Sequence, residues 1–245
     1  MSESPIPEVR VRRPPMKTAF DPLIQPIVGT THAFSAVPGD LLTPAWLRQV
    51  LSTRIDRKLS IPDESAKRYP GREGTPVEAA VLVPMVMRPE GVTVLLTQRT
   101  AHLNDHAGQI SFPGGRIEST DASPIAAAIR ETEEETGLRH EHIEVLGALP
   151  RYLTSSGFAI NPITALVKPG FELNPDTFEV AEVFEVPLSF LTNPEHYRLH
   201  RATLADGTTR QYYSAPWNQY FIWGATAAML LGMCQVLSES AQLAR

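Results

Sequence analysis

The chain has 245 residues, a formal net charge of −5 at pH 7 and a hydrophobic fraction of 42%. That is enough to bury a substantial core, as one domain or as a domain with an extension. The negative balance and the lack of a basic run in the body of the sequence argue against nucleic-acid binding. The single cysteine, Cys234, has no partner for an intramolecular disulfide, which fits a reducing compartment and a packing role.

In chain order, the first residues lack the apolar core of a secretory signal and carry prolines at 5, 7, 14 and 15. Arg10, Arg12, Arg13 and Lys17 are interspersed with Glu3, Glu8 and Asp21, the composition of a solvated tail rather than a transit peptide, and a cytoplasmic location is the expectation. Thr43-Pro44 followed by Trp46, Leu47, Val50 and Leu51 reads as a capped amphipathic helix, and Arg54 to Thr75 as a charged linker. Residues 1–74 are therefore read as an N-terminal extension and residues 75–245 as one α/β domain.

Val77 to Met87 and Val92 to Gln98 read as strands joined by a turn at Pro89-Glu90-Gly91. A glycine-rich turn, Ser111 to Glu118, leads to a helix capped by Ser123, with Pro124 at its first position and Gly137 as its stop. Further strands are expected at Ile143 to Leu149, Pro162 to Val167 and Glu182 to Val186. A hairpin turning at Asp206-Gly207 joins Tyr197 to Leu204 with Thr208 to Tyr213. Residues 211–238 carry no charge, but Gln211, Ser214, Pro216, Asn218, Gln219 and Gln235 leave the apolar run too short for a membrane span. Trp223 to Leu243 is read as a buried terminal helix.

The helix before Gly137 ends in Arg130-Glu131-Thr132-Glu133-Glu134-Glu135, four carboxylates in five positions. They face the negative end of the helix dipole and repel one another by roughly a few tenths of a kcal/mol per pair. On a helical wheel Glu131, Glu134 and Glu135 share an arc of about 100° while Glu133 points elsewhere. Ile125, Ala128, Ile129 and Thr132 form the apolar stripe expected to dock the helix. Converging hard oxygens on a rigid element suit Mg²⁺ or Mn²⁺, and the main-chain oxygen of Gly115 is a candidate further ligand. Arg130, at i−4 from Glu134, is placed to orient that carboxylate. The alternative is a solvated acidic face.

These motifs resemble the Nudix hydrolases, whose signature is G-x5-E-x7-R-E-U-x-E-E-x-G-U, with U a bulky aliphatic residue. Arg130-Glu131, Glu134-Glu135, Gly137 and Leu138 match, whereas Thr132 holds an aliphatic position and Ala122 stands where the upstream Glu belongs. With one extra loop residue, Gly115 takes the glycine role and Asp121 that of the missing carboxylate. Leu95-Leu96-Thr97-Gln98-Arg99-Thr100, Gly108 and Phe112-Pro113-Gly114-Gly115 resemble a second pattern, L-L-T-x-R-S/A-x3-R-x3-G-x3-F-P-G-G, associated with the coenzyme A diphosphatases of that family. Thr100 and Asn104 depart from it, and Asn104 replaces a charged fork with neutral hydrogen bonds.

The resemblance implies an α/β/α sandwich with a mixed sheet, covering roughly residues 75 to 240. It implies metal-dependent attack of water on the pyrophosphate of a nucleoside diphosphate linked to another moiety, most directly coenzyme A or acyl-coenzyme A. Arg130, Glu134, Glu135 and Glu179 are the candidate catalytic residues. Glu131, Glu134, Glu135 and Gly115 are the candidate metal ligands. Arg99, His106, Phe112, Gly114, Thr154 and Ser156 are candidate substrate contacts, and Glu172 and Glu182 compete with Glu179. Other nucleotides, among them ADP-ribose and dinucleoside polyphosphates, remain alternative substrates, as does a non-catalytic nucleotide-binding module. The partner is a nucleotide-containing small molecule, with no nucleic acid and no membrane, and a homodimer is left open. His196 and His200 lie on a strand-like segment, too far apart to share a metal. His102 and His106 make an equally weak metal pair.

Overall fold

The continuous apolar run from Ala79 to Val86 sends apolar side chains to both faces of a strand, so it requires cover on both sides. The computed structural model, which describes residues 20–31, 34–52, 59–64, 74–102 and 108–243, supplies that cover. In chain order the elements are β1 (Ile27–Thr30), α1 (Pro44–Leu51), β2 (Val77–Arg88), β3 (Gly91–Arg99), β4 (Ile110–Ser111), β5 (Gly114–Arg116) and α2 (Pro124–Thr136). There follow β6 (Ile143–Ala148), β7 (Tyr152–Leu153), β8 (Phe158–Val167), β9 (Val180–Pro187), α3 (Leu188–Leu191), β10 (Arg198–Thr203), β11 (Thr209–Trp217), β12 (Tyr220–Trp223) and α4 (Gly224–Leu243).

The main sheet is mixed, in the order β4-β3-β2-β8-β6, with β9 on β3, β5 on β2 and β7 on β8. Its central pair, β2 and β8, is parallel over ten residues of each. Ala80 and Leu82 of β2 pack with Ala127 and Ala128 of α2 and with Ile163 and Ala165. Val81, Val83 and Met85 turn to the opposite face, in one cluster with Leu230, Met233 and Leu237 of α4. Helices on both faces of a mixed sheet give the α/β/α sandwich that the motifs imply. A smaller sheet, β1-β10-β11-β12, contributes Ala215 and Ile222 to the cluster that contains α4. Every residue from Thr226 to Ser238 is therefore buried, as expected of a helix that is apolar all round. Among the described residues no helix is long and apolar enough to cross a membrane.

The β2–β3 hairpin does not stay closed. It pairs from Met85 to Arg88 against Gly91 to Val94, and then the strands part. The chain from Ile110 to Arg116 enters the gap, pairing first with Thr97 and Gln98 of β3 and then with Ala79 to Val81 of β2. Leu82 N–H donates to Pro113 O at 2.9 Å and Ile117 N–H to Glu78 O at 3.0 Å, so the inserted segment is bonded at both ends. The glycine-rich stretch is thus part of the sheet rather than only a turn.

Two expectations change. Residues before 74 share the main core: Phe34, Val37, Leu42, Leu47 and Leu51 belong to the cluster that contains α4, and β1 pairs with β10. Packing has no break at residue 74, because α1 buries its Leu47 and Leu51 face in that shared core. Of the expected linker, residues 54–58 and 65–73 lie outside the described residues, and Ser60 is bonded to Gln235 of α4. The apolar stripe of α2 is also rotated from the expected one. Ala127, Ala128, Thr132, Glu135 and Thr136 are its buried residues, while Ile125 is 40% exposed. The helix turns Glu135 toward the sheet, and the hydroxyls of Thr132 and Thr136 bond to carbonyls one turn back.

Because Leu47 is fully buried in the shared core, Leu47→Ala should lower the unfolding free energy of the whole protein by about 2–4 kcal/mol. Chemical denaturation checks this, and an unchanged main transition would mean that α1 is dispensable to the core.

Candidate active site

Ser123 accepts the Ala126 amide at the start of α2, and Gly137 ends it with φ +73°. These caps fix which turn carries the acidic residues. Arg130 is the hub. Its Nε and Nη2 donate to the two carboxylate oxygens of Asp121, each at 3.0 Å, and Nη1 donates to Glu134 at 2.9 Å. Nη2 also lies 3.1 Å from Glu131 and 3.3 Å from the carbonyl of Arg116. A bidentate pair of this kind fixes direction as well as charge. The Arg130 guanidinium holds the Asp121 carboxyl below the usual range, helped by the Glu118 amide. Asp121 therefore sits on the arginine rather than facing the other acids, and Ala122, beside it in sequence, is exposed.

Glu135 lies beneath the glycine pair and is 5% exposed. The Gly114 amide donates to its Oε2 at 3.1 Å and Arg99 Nη1 to its Oε1 at 3.4 Å. Burial pushes its carboxyl up to about 7, against the pull of Gly114 and Arg99, with Glu131 and Glu179 adding to the rise. Glu131 is raised too, first by burial. Both glycines are required by space. At Gly114, with φ +150°, a Cβ would stand 2.4 Å from Ala80 O, and at Gly115 one would stand 2.5 Å from the Glu131 carboxyl carbon.

Glu179 arrives from the loop before β9. Asn174 and Asp176 donate their amides to the carbonyls of Thr136 and Glu135, satisfying the exposed end of α2. At the loop's other end the Thr100 amide donates to Glu179 O at 2.8 Å. Arg99 Nη2 then lies 3.6 Å from the Glu179 carboxylate, so one arginine links Glu135 and Glu179. Thr100 and this staple are what the sequence reading missed. The departure of Thr100 from the loop pattern was a signal, but its hydrogen bonds were not readable from spacing.

Other candidates separate. Phe112 is 2% exposed and packs in the main core, so it is corrected from a substrate contact to a core residue. Thr154 and Ser156 bond to each other at 3.0 Å, and the Phe158 amide donates to Thr154. That turn borders the site through Arg116, whose guanidinium stacks over Phe158 at 5.7 Å, and not through the carboxylates. Gly114 spends its amide on Glu135. His106 and Asn104 lie outside the described residues. Glu133 turns toward His140, Glu172 is exposed, and Glu182 accepts from the Tyr220 hydroxyl at 2.7 Å. His196 closes a short helical turn and bonds to Phe190 O, while His200, on β10, bonds to Ser214.

Two arginines thus draw the four acids together in pairs, Arg130 on Glu131 and Glu134 and Arg99 on Glu135 and Glu179, with Gly114 against Glu135 and Gly115 against Glu131. Hard, mutually repelling oxygens suit a hard divalent cation. Among the described residues, no three acidic, histidine or cysteine side chains are close enough to enclose one as they stand. The reason is visible: Arg130 holds Glu134 outward, and Arg99 engages Glu135 and Glu179. The Glu134 side chain is 60% exposed and has room to turn.

Comparison with known proteins bears on this arrangement. The model of the NUDIX domain matches residues 76–206, more than half of the chain. The Nudix hydrolase NudL of Citrobacter koseri is 41% identical over 157 residues, which cover 62% of this chain and 79% of that protein. NudL of Escherichia coli K12 is 39% identical over 156 residues, with the same coverage of 62% and 79%. Among solved structures, an Ap4A hydrolase of C. elegans aligns with 45% of this chain and 80% of its own, at 20% identity and a TM-score of 0.40.

The raised carboxyl of Glu135 makes the metal-free fold pH-sensitive. Between about 4.5, its ordinary value, and about 7 the fold holds a proton that the unfolded chain releases, so stability falls as pH rises through that window. Metal-free Glu135→Gln should accordingly melt above the parent at pH 8, by up to about 3 kcal/mol, and converge with it near pH 4.5. Thermal melts across pH test this, and a gap that does not widen with pH refutes the desolvated carboxylate.

Proposed function

This chain belongs to the Nudix family, and we propose that it cleaves the pyrophosphate of a nucleoside diphosphate linked to another moiety, first of all coenzyme A or acyl-coenzyme A. Membership makes it a pyrophosphohydrolase of a family that works with divalent metal ions. The products in this reading are 3′,5′-ADP and 4′-phosphopantetheine or its acyl form, made in the cytoplasm. The observation carrying it is the placement of Leu95 to Thr100 and of Gly108 to Gly115. This segment resembles the coenzyme A diphosphatase pattern, and it brings Arg99 and the Gly114 amide onto Glu135.

In this reading Glu131, Glu134 and Glu135, with the carbonyl of Gly115, hold Mg²⁺ or Mn²⁺. Such an ion supplies charge that offsets the pyrophosphate and lowers the pKa of water bound to it. The protein's own groups do the positioning. Arg130, fixed on Asp121, orients Glu134 and opposes the rise that burial gives the Glu131 carboxyl. Arg99, between Glu135 and Glu179, offers a permanent cation to a phosphate oxygen. Glu179, whose side chain is 43% exposed, is the carboxylate best placed to take a proton from attacking water. The net charge of −5 repels a pyrophosphate at long range, so attraction has to come from these local cations.

A second reading, ADP-ribose or a dinucleoside polyphosphate as the preferred substrate, is favoured by Thr100, which departs from the coenzyme A pattern. Turnover with Mg²⁺ or Mn²⁺ on coenzyme A, ADP-ribose, diadenosine polyphosphates and nucleoside triphosphates separates the two, and coenzyme A should give the highest kcat/KM. Glu134→Gln and Glu135→Gln should each lower kcat by at least about 100-fold while leaving the fold cooperative. Unchanged rates in either variant refute that carboxylate's role.

A further inference from the structure

Phe178 is 65% exposed and is the only Phe, Tyr or Trp among the described residues to face solvent so openly. An exposed phenyl ring gives up the stabilisation that burial brings, and here it gives that up beside Glu179, which Arg99 links to Glu135. The ring is not on a loose tip. Its amide donates to Asp176 Oδ1 at 2.9 Å, and its carbonyl accepts the Thr100 hydroxyl at 2.8 Å. The next carbonyl, of Glu179, accepts the Thr100 amide at 2.8 Å. His102 lies alongside, with ring centroids 4.9 Å apart and planes inclined by 60°. One face of a firmly mounted aromatic pair is therefore left to solvent next to the groups that face the pyrophosphate.

We propose that Phe178, backed by His102, is the platform on which the substrate's nucleobase stacks, and that Thr100 is the residue that positions it. The inference rests on the nucleotide-pyrophosphate reading above. A base is joined through its ribose to the diphosphate, so a stacking surface is useful only a short distance from the phosphate site, and Phe178 is the residue before Glu179. Stacking tolerates any base because every base presents a π-face. Thr100 acts on the ring through the backbone. Its side chain ties the Phe178 carbonyl to the end of β3, the strand that also carries Arg99, and so keeps the ring in register with the phosphate-facing cation.

The test uses the full chain with Mg²⁺ and two probes: ADP, which carries a base and the diphosphate, and methylenediphosphonate, which has no base. By calorimetric titration, Phe178→Ala should weaken ADP about tenfold and leave methylenediphosphonate within about twofold, whereas Phe178→Trp keeps ADP binding and shows quenching of the new indole. Thr100→Ala should weaken ADP in the same direction, and Thr100→Ser should restore it. Equal ADP affinity in the parent and Phe178→Ala overturns the platform while leaving the proposed function intact. So does a loss seen with coenzyme A but not with ADP, which would assign the ring to the pantetheine arm. If neither probe binds the parent protein, the nucleotide-pyrophosphate reading fails and the platform with it.

Discussion

The opened β2–β3 hairpin is the constraint from which the rest of the site follows. Strands joined by a tight turn ordinarily stay paired along their length, and parting them exposes backbone groups that need partners. Here the partners come from residues 109–117, which bond to β3 through Thr97 and Gln98 and to β2 through Ala79 to Val81. The insertion brings Gly114 and Gly115 directly under α2. Any side chain at either glycine collides, in one case with the backbone of β2 and in the other with Glu131. Sheet geometry, rather than the acidic helix alone, decides where the carboxylates meet.

The second determinant is the pairing of acids with two arginines. Carboxylates at i, i+3 and i+4 on α2 repel one another by roughly a few tenths of a kcal/mol per pair, and Glu135 is buried besides. Arg130 answers Glu131 and Glu134, while Arg99 answers Glu135 and Glu179. Asp121 adds one more negative charge, yet it spends both oxygens on Arg130 and so tightens the hub. The loop carrying Glu179 is fastened twice, to the end of α2 and to Thr100. Its carboxylate is thus placed by backbone hydrogen bonds from two different elements.

How much of this was legible depended on the range of the interaction. The limits of α2 followed from Ser123, Pro124 and Gly137, because caps are local chemistry. The separation of Glu133 from the other three acids followed from helical spacing. The inserted pairings of β4 and β5 were not legible, since segments of two and three residues around Pro-Gly-Gly carry no periodicity and their partners lie 12 to 14 residues back for β4 and 33 to 37 for β5. Phe112 was misread for a related reason: a motif position says that a residue matters without saying whether it packs or binds. β1 was hidden by Pro22 and Pro26 on its flank, and its pairing with β10 depends on residues far along the chain.

The way the N-terminal part joins the core has a kinetic meaning. Ser60 bonds to Gln235 across 175 positions, Tyr212 reaches Pro22 O across 190, and Leu59 presses on Gly232. Contacts of such separation require large loops to close before they yield any stabilisation, and folding slows accordingly. Two of these contacts lie on α4, at Gly232 and Gln235, so that part of the helix is covered only when the N-terminal segment docks. Partly folded chains would then present a sticky helix for an extended time, and the yield of native protein should depend on chain concentration during refolding.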